Sequence, residues 1–210
     1  MSESHLSRLD RFRSKLPQAI ALDFPHPFRP ILSGRPAAVL ILGGVREADG
    51  EFEILLTRRT EHLETHKGQY ALPGGMQDLG DDSLEGTALR ETEEEMGISR
   101  SNIEVFGKLP EIWTPSGFTV TPVVGLLTEP IETQRMVPNP EEIDLWFWCK
   151  LARFREEGVY STELRTIMRD SKPLSVPVDI YQIGEHRIWG ATGAMLRNFI
   201  ARLEKTGIVG

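Results

Sequence analysis

Three glutamates near the middle of the chain have the spacing of a metal-binding site. They are Glu91, Glu94 and Glu95, in the stretch RETEEEMG. An α-helix turns about 100° per residue, so Glu91 and Glu95 point within about 40° of each other, and Glu94 lies about 60° to the other side. Like charges at this spacing destabilise a helix unless cations offset them. Carboxylate oxygens favour Mg²⁺ or Mn²⁺ over zinc.

The alternative for these glutamates is a solvated acidic face, which is the usual meaning of a charge run. Such a face normally carries lysines four residues away from its acids, and this one does not. We therefore favour the metal site, with Glu93 pointing away from it into solvent. Arg90 could orient the neighbouring carboxylates through paired hydrogen bonds, or it could be an ordinary surface cation.

Hydrophobic periodicity predicts the elements that must position this cluster. A first helix is expected over residues 5–16, ended by Pro17, and an extended connector over residues 22–36. The helix of the cluster is expected over residues 82–96, with Asp82 and Glu85 as a capping box and Gly97 at its end. Further predictions are strands over 36–44, 52–59, 69–73, 103–106, 119–127 and 144–150, and a helix over 192–204. Residues 152–188 give no clear assignment.

Composition limits the function classes. Hydrophobic residues make up 40% and charged residues 26% of the 210 residues, which is typical of a soluble globular protein. The formal net charge of −7 argues against general binding to nucleic acid or anionic membranes. No apolar run reaches the roughly 18 residues of a membrane span, and a signal peptide is not expected at the charged N-terminus. The single cysteine, Cys149, cannot form an internal disulfide and lies in an apolar run, so we expect it to be a buried core residue of a cytoplasmic protein.

Taken together, the cluster and its flanks resemble the Nudix box. In that pattern a glycine and a glutamate precede Arg-Glu-U-x-Glu-Glu-x-Gly-U, where U is apolar. Gly75 opens it here, and the second half is matched by Arg90, Glu91, Glu94, Glu95, Gly97 and Ile98. Counting from Arg90 puts Asp82 at the first glutamate position, and counting from Gly75 puts Asp81 there. The chain therefore carries one extra residue.

With this extra residue, the box resembles that of the coenzyme A pyrophosphatase branch of the Nudix family. The branch's Gly-Gly-x-x-Asp-x-x-Asp pattern is matched by Gly74, Gly75, Asp78 and Asp81. An upstream signature is matched by Leu55, Leu56, Thr57, Arg59, Leu63, His66 and Gly68, and downstream similarity includes residues 116–125, Asn139-Pro140-x-Glu142 and residues 188–192. The likeness covers residues 36 to about 200. Two residues depart from it: Glu64 replaces an expected basic residue, and Leu72 replaces a usual phenylalanine.

The resemblance implies an α/β (α+β) Nudix fold, with a mixed β-sheet sandwiched between helices. It divides the chain into an N-terminal helix and connector (1–35) and a Nudix hydrolase domain (36–210). It implies that Glu91, Glu94 and Glu95, with the Gly74 carbonyl, bind Mg²⁺ or Mn²⁺. The activity implied is hydrolysis of coenzyme A or an acyl-coenzyme A to 4'-phosphopantetheine and adenosine 3',5'-bisphosphate.

The catalytic residues expected from this likeness are Glu91, Glu94, Arg90 and Glu142. Either Glu91 or a glutamate of the later loop, Glu142 or Glu141, would accept a proton; the alternative for the loop pair is a solvated turn. Substrate contacts are expected at Arg58, Arg59, His66 and Gly75. The alternatives are solvated arginines, a histidine satisfied by its neighbours, and a simple glycine turn.

Two other outcomes stay open at this level. Glu64 and Leu72 favour another diphosphate substrate: ADP-ribose, a nucleoside diphosphate sugar or a nucleoside triphosphate. The second outcome is a Nudix-fold module that binds a nucleotide without hydrolysis, although a binder has no need of all three metal carboxylates. The expected partner is a small-molecule diphosphate, and the sequence leaves open whether the chain forms a homodimer.

Overall fold

A computed structural model describes residues 5–23, 34–61, 67–169 and 172–208. Its helices are α1 (His5–Ala21), α2 (Leu84–Met96) and α3 (Ala191–Lys205). Its strands are β1 (Arg35–Val45), β2 (Phe52–Arg59), β3 (Tyr70–Ala71), β4 (Gly74–Met76), β5 (Ile103–Lys108), β6 (Ile112–Trp113), β7 (Phe118–Leu127), β8 (Ile143–Lys150), β9 (Tyr160–Arg169), β10 (Lys172–Ile183) and β11 (His186–Trp189). The strands predicted before residue 151 are confirmed to within a few residues.

Strands β1 to β8 form one mixed sheet. The central order is β3-β2-β1-β7-β5, with β4 paired to β1, β6 to β7 and β8 to β2. The long pair β1 and β7 is parallel, with Leu40 opposite Val123, and the other pairs are antiparallel. The prediction of a mixed sheet is therefore confirmed.

Helices cover both faces of this sheet. Because side chains alternate along a strand, Leu40 and Leu55 pack towards Ala88 of α2, whereas Ile41 and Leu56 pack into the core that contains α1 and α3. Burial on both faces explains why β1 and β2 read as nearly continuous apolar runs. The predicted sandwich of a mixed sheet between helices is confirmed.

The first helix is longer than predicted. Pro17 lies inside α1, which continues to Ala21, although proline removes one backbone hydrogen bond. Tertiary contacts outweigh that loss: Ala19 is buried, and the buried guanidinium of Arg202 donates to the carbonyls of Ala19, Ile20 and Leu22 at 3.2, 2.8 and 2.6 Å. Of the expected connector, residues 24–33 lie outside the described residues, and the domain boundary at residue 35 stays a prediction.

The start of α2 was also misplaced. Its N-cap is Ser83, whose hydroxyl accepts from the backbone N–H of Gly86 at 3.0 Å. Asp82 does not cap the helix, and Glu85 instead pairs with Lys108 at 3.0 Å. The predicted end is confirmed, because Gly97 adopts φ +70° and its N–H donates to the carbonyl of Glu93.

Most of the unassigned region forms a second, antiparallel sheet in the order β11-β10-β9. It packs against α3, and it meets β3 where the Tyr70 hydroxyl and His186 Nδ1 lie 2.7 Å apart. Cys149 is buried as predicted, and burial raises the pKa of its thiol to about 12. No helix of the described residues is long and apolar enough to cross a membrane.

Candidate active site

The glutamates of α2 lie in graded environments. Glu95 is 2% exposed. It lies on the buried side of α2, about one turn after the buried residue Thr92. Glu91 is largely buried, and the Glu94 side chain is 58% exposed. Glu93 points elsewhere and pairs with Arg100 at 3.1 Å. The predicted separation of Glu93 from the other three is confirmed.

Glu95 is a buried carboxylate with few polar contacts. Its Oε2 accepts from the backbone N–H of Gly74 at 3.2 Å, and its Oε1 lies 3.7 Å from the Arg59 guanidinium. These contacts do not compensate for the lost hydration, so burial raises the pKa of Glu95 to about 8. The charged form is thus disfavoured unless further positive charge is present.

Glu91 lies directly against the glycine turn that precedes α2. A Cβ placed on Gly75 would overlap the Glu91 carboxylate, so any larger residue at position 75 would displace that carboxylate from the turn. Burial raises the pKa of Glu91, the Arg90 guanidinium 3.0 Å away opposes the rise, and Glu94 and Glu142 add to it. Glu91 and Gly75 therefore lie side by side, with Glu94 and Glu142 near enough to affect the charge of Glu91.

Arg90 links the acids of this region. It makes a two-pronged contact with Asp81 at 2.9 and 3.0 Å, and it contacts Glu91 at 3.0 Å, Glu94 at 2.9 Å and the Met76 carbonyl at 3.1 Å. The hydrogen bonds from Arg90 hold the pKa of Asp81 well below its usual range, and Asp81 in turn raises the pKa of Arg90. Asp81, and not Asp82, is the acid that pairs with the box arginine.

A loop after β7 brings a further glutamate to the site. The Asn139 N–H donates to the Glu95 carbonyl at 2.8 Å, which docks the loop on the end of α2, and the Asn139 side chain donates to Glu142 Oε1 at 3.3 Å. The charge of Glu142 raises the pKa of both Glu91 and Glu95. Glu141 is exposed, and its carbonyl accepts from the Thr60 hydroxyl. The similarity around Asn139-Pro140-x-Glu142 predicts a role for Glu142 but not the positioning role of Asn139, which depends on the contact of the loop with the end of α2.

The two arginines at the end of β2 have different surroundings. Arg59 faces Glu95, whereas Arg58 makes a two-pronged ion pair with Asp144 at 2.9 and 3.0 Å and lies over the Tyr70 ring. Alternation along the strand separates them. The predicted contact residue His66 lies outside the described residues. Substrate contacts by Arg58, Arg59, Gly75 and His66 stay predictions.

The carboxylates of α2 have the chemistry that a divalent cation requires, but in this structure they do not converge on one point. Among the described residues, no three acidic, histidine or cysteine side chains lie close enough to enclose a metal ion. The Arg90 guanidinium occupies oxygens of Glu91 and Glu94 in this arrangement. Yet Glu95 is a buried carboxylate and Glu91 a half-buried one, both have raised pKa values, and hard oxygen donors of this kind are the ones that Mg²⁺ and Mn²⁺ prefer.

Comparison with known proteins gives a consistent result. The family model for the NUDIX domain matches residues 34–170. NudL of Yersinia enterocolitica serotype O:8, named an uncharacterized Nudix hydrolase, is 36% identical over 200 residues, which cover 94% of this chain and 96% of NudL. NudL of Escherichia coli strain SMS-3-5 is 37% identical over 166 residues, covering 79% and 76%.

Among solved structures, the Nudix hydrolase RenU of M. smegmatis is similar at 25% identity and a TM-score of 0.48, covering 60% of this chain and 76% of RenU. The family assignment depends on the domain match, which spans more than half of the chain, and on the alignment with Yersinia NudL over nearly all of both proteins. This chain therefore belongs to the Nudix hydrolase family.

Proposed function

We propose that this Nudix hydrolase cleaves the diphosphate linkage of coenzyme A or an acyl-coenzyme A, giving 4'-phosphopantetheine and adenosine 3',5'-bisphosphate. The observation that carries the proposal is the pairing of Asp81 with Arg90. The extra residue in the box moves the acid to position 81, as in the coenzyme A pyrophosphatase pattern, and the guanidinium binds that acid. The remaining matches, around Arg59 and Glu142, lie beside the same cluster.

Glu91, Glu94 and Glu95 would hold the Mg²⁺ or Mn²⁺ ions, with the Gly74 carbonyl as a further oxygen donor. Bound there, the metal would supply charge neutralisation for the diphosphate and a lowered pKa for a bound water. Arg90 positions Glu91 and Glu94, and it is itself fixed by Asp81 and the Met76 carbonyl. To bind a metal, Glu91 and Glu94 would have to give up their contacts with the Arg90 guanidinium.

A carboxylate must take the proton of the attacking water. The candidates are Glu91, which belongs to the cluster, and Glu142, which lies beside it. Glu142 fits the role of base better. The contact of the Glu142 carboxylate with Asn139 is long, at 3.3 Å, whereas Glu91 is held by Arg90 at 3.0 Å. We propose Glu142 as the base, with Arg59 beside Glu95 as a contact for a substrate phosphate. Arg58 could take part only by leaving Asp144.

The test is a hydrolysis screen with Mg²⁺ or Mn²⁺ over coenzyme A, acyl-coenzyme A, ADP-ribose, nucleoside diphosphate sugars and nucleoside triphosphates. We expect coenzyme A and its thioesters to have the highest kcat/KM, with adenosine 3',5'-bisphosphate as product. Preference for ADP-ribose or a sugar nucleotide would overturn the substrate and leave the reaction class standing. Binding of a nucleotide without turnover would instead support a regulator.

Variants of the α2 glutamates test whether turnover depends on the cluster itself or only on negative charge along the helix. Glu94→Gln and Glu95→Gln should lower kcat by orders of magnitude with the fold intact. Glu93→Gln makes the same chemical change on the same helix, but Glu93 pairs with Arg100 outside the cluster, so this control should keep wild-type turnover. For the base, Glu142→Gln should lower kcat by orders of magnitude and leave Mg²⁺ binding unchanged. Wild-type kcat in Glu142→Gln, with a loss of kcat in Glu91→Gln, would transfer the role to Glu91.

A further inference from the structure

The hairpin of β9 and β10 presents an edge strand that has no partner within the described residues. In the three-stranded sheet, β10 is central and β9 pairs only with β10 over the described chain. β9 is ten residues long, so its outer edge offers a long row of backbone donors and acceptors. Such an edge is a template for pairing with another strand.

Apolar side chains are concentrated on the same hairpin. Seven large hydrophobic residues are exposed in the described chain, and four of them lie on β9 or β10: Tyr160, Leu164, Met168 and Leu174. Leu164 is 76% exposed and Met168 is 65% exposed. Tyr160, Leu164 and Met168 share one face of β9, because they are separated by even numbers of residues.

The sequence of the edge is complementary to itself. Residues 162–166 read Thr-Glu-Leu-Arg-Thr, centred on Leu164. If two copies of β9 pair antiparallel about that centre, Glu163 lies opposite Arg165 of the second copy, and Leu164 lies opposite Leu164. Tyr160 then lies opposite Met168. Opposite charges and apolar pairs directly across antiparallel strands both stabilise pairing.

From this match we infer that β9 is the interface of a homodimer, in which two copies join their small sheets into one six-stranded sheet about a two-fold axis. A two-fold contact requires that one surface be complementary to itself, and β9 meets this condition in the order of its charged and apolar residues. Charges can also protect an edge from pairing, but protective charges of one sign would repel a second copy. Glu163 and Arg165 have opposite signs and match.

The two charges of β9 also contact each other within one chain, because the Arg165 guanidinium donates to Glu163 at 3.4 Å. Glu163 accepts from Arg187 at 3.0 Å as well, and the Arg165 guanidinium lies 4.4 Å from the centre of the Trp189 ring. Arg187 and Trp189 belong to β11, on the same face of the small sheet, and in the dimer each charge of β9 would gain a cross-strand partner beside these intrachain contacts. The side chains are thus held over the sheet face, and the lateral edge of β9 stays accessible to a second strand.

The test uses sedimentation equilibrium of the full chain over a concentration series, with charge-swap variants. Wild type should show a monomer–dimer equilibrium. Glu163→Arg places cations opposite each other at both symmetric positions, and Arg165→Glu places carboxylates there. Each variant alone should dimerise roughly tenfold to a hundredfold more weakly, because two attractive pairs become repulsive. Mixed one to one, the two variants should regain the wild-type dissociation constant as a heterodimer.

Glu185→Arg is the matched control, since it makes the same charge change at the β10–β11 turn of the same sheet, away from β9. It should dimerise as wild type does. Circular dichroism and hydrolase turnover should be unchanged in all variants, which excludes unfolding as the cause. A wild-type chain that stays monomeric at its highest soluble concentration would overturn the inference. So would a dimer that Glu163→Arg leaves intact, or variants that fail to rescue each other.

Discussion

Replacement of Glu95 by glutamine should abolish turnover and yet stabilise the metal-free protein at alkaline pH. Glu95 is 2% exposed, and burial raises the pKa of its carboxyl from 4.5 to about 8. A shift of that size corresponds to about 5 kcal/mol of unfavourable free energy for the ionised native state. Glutamine keeps an oxygen for the Gly74 N–H and carries no charge.

The sign of the pH dependence follows from proton binding. Below pH 4.5 the carboxyl is protonated in both the native and the unfolded chain, so it adds no penalty. Between pH 4.5 and about 8 the unfolded chain releases the proton and the native chain keeps it. The free energy of unfolding should therefore fall by about 1.4 kcal/mol per pH unit in this window, and the penalty is complete above it. Glu95→Gln lacks that slope.

The assay is urea denaturation of both proteins in a metal chelator at several pH values from 5 to 9, about one unit apart. The buried amide of glutamine adds a loss of about 1–3 kcal/mol that does not change with pH, so the measured quantity is the difference in slope and not the absolute difference. Glu93→Gln should follow wild type. Parallel profiles for wild type and Glu95→Gln would refute the reasoning. Saturating Mg²⁺ should flatten the wild-type slope, because a cation favours the ionised carboxyl.

Three further predictions concern the residues that hold the scaffold together. Arg90→Lys removes the two-pronged contact with the mostly buried Asp81 and should lower the free energy of unfolding by about 2–4 kcal/mol, with a loss of turnover; an unchanged urea midpoint would contradict this. Ser83→Ala should lower the free energy of unfolding by about 1 kcal/mol, measured by heat or urea, because it removes the N-cap of α2. Asp82→Ala should leave the free energy of unfolding nearly unchanged. A larger loss in Asp82→Ala than in Ser83→Ala would make Asp82 the cap. Arg202→Met should lower the free energy of unfolding by about 2–4 kcal/mol, because three carbonyls at the end of α1 lose a donor; loss of protection of α1 amides in hydrogen exchange would localise the effect.

The sequence predicts best those elements whose residue pattern depends only on neighbouring residues in the chain. β1 and β2 are buried on both faces, so their apolar runs are continuous, and α2 ends at a glycine that adopts a left-handed conformation. Pro17 misled the prediction for a non-local reason, since the end of α1 is fixed by Arg202, far away in sequence. β9 and β10 were missed because their strands are largely exposed and carry charge and proline in place of a clear alternation.

The candidate site divides in the same way. Helical spacing alone separated Glu93 from Glu91, Glu94 and Glu95, because spacing on one helix is a local property. The choice between Asp81 and Asp82 needed the turn that brings Asp81 under the Arg90 guanidinium. Strand alternation could have separated Arg58 from Arg59. The approach of Glu142 could not have been deduced, since it depends on a loop docked on the end of α2.

The pKa of Asp81 is lowered and that of Glu95 is raised, and this difference distinguishes a structural carboxylate from a metal-binding one. Asp81 is held ionised by Arg90 and fixes the helix, so removal of the pair should reduce both stability and turnover. Glu95 lies beyond the hydrogen bonds of Arg90, and its charge is unfavourable in the metal-free fold. A cation is the group that would reverse that cost. Loss of turnover with a gain in metal-free stability is therefore the behaviour that distinguishes a metal-binding carboxylate from a structural one, and Glu95 and Asp81 should fall on opposite sides of that distinction.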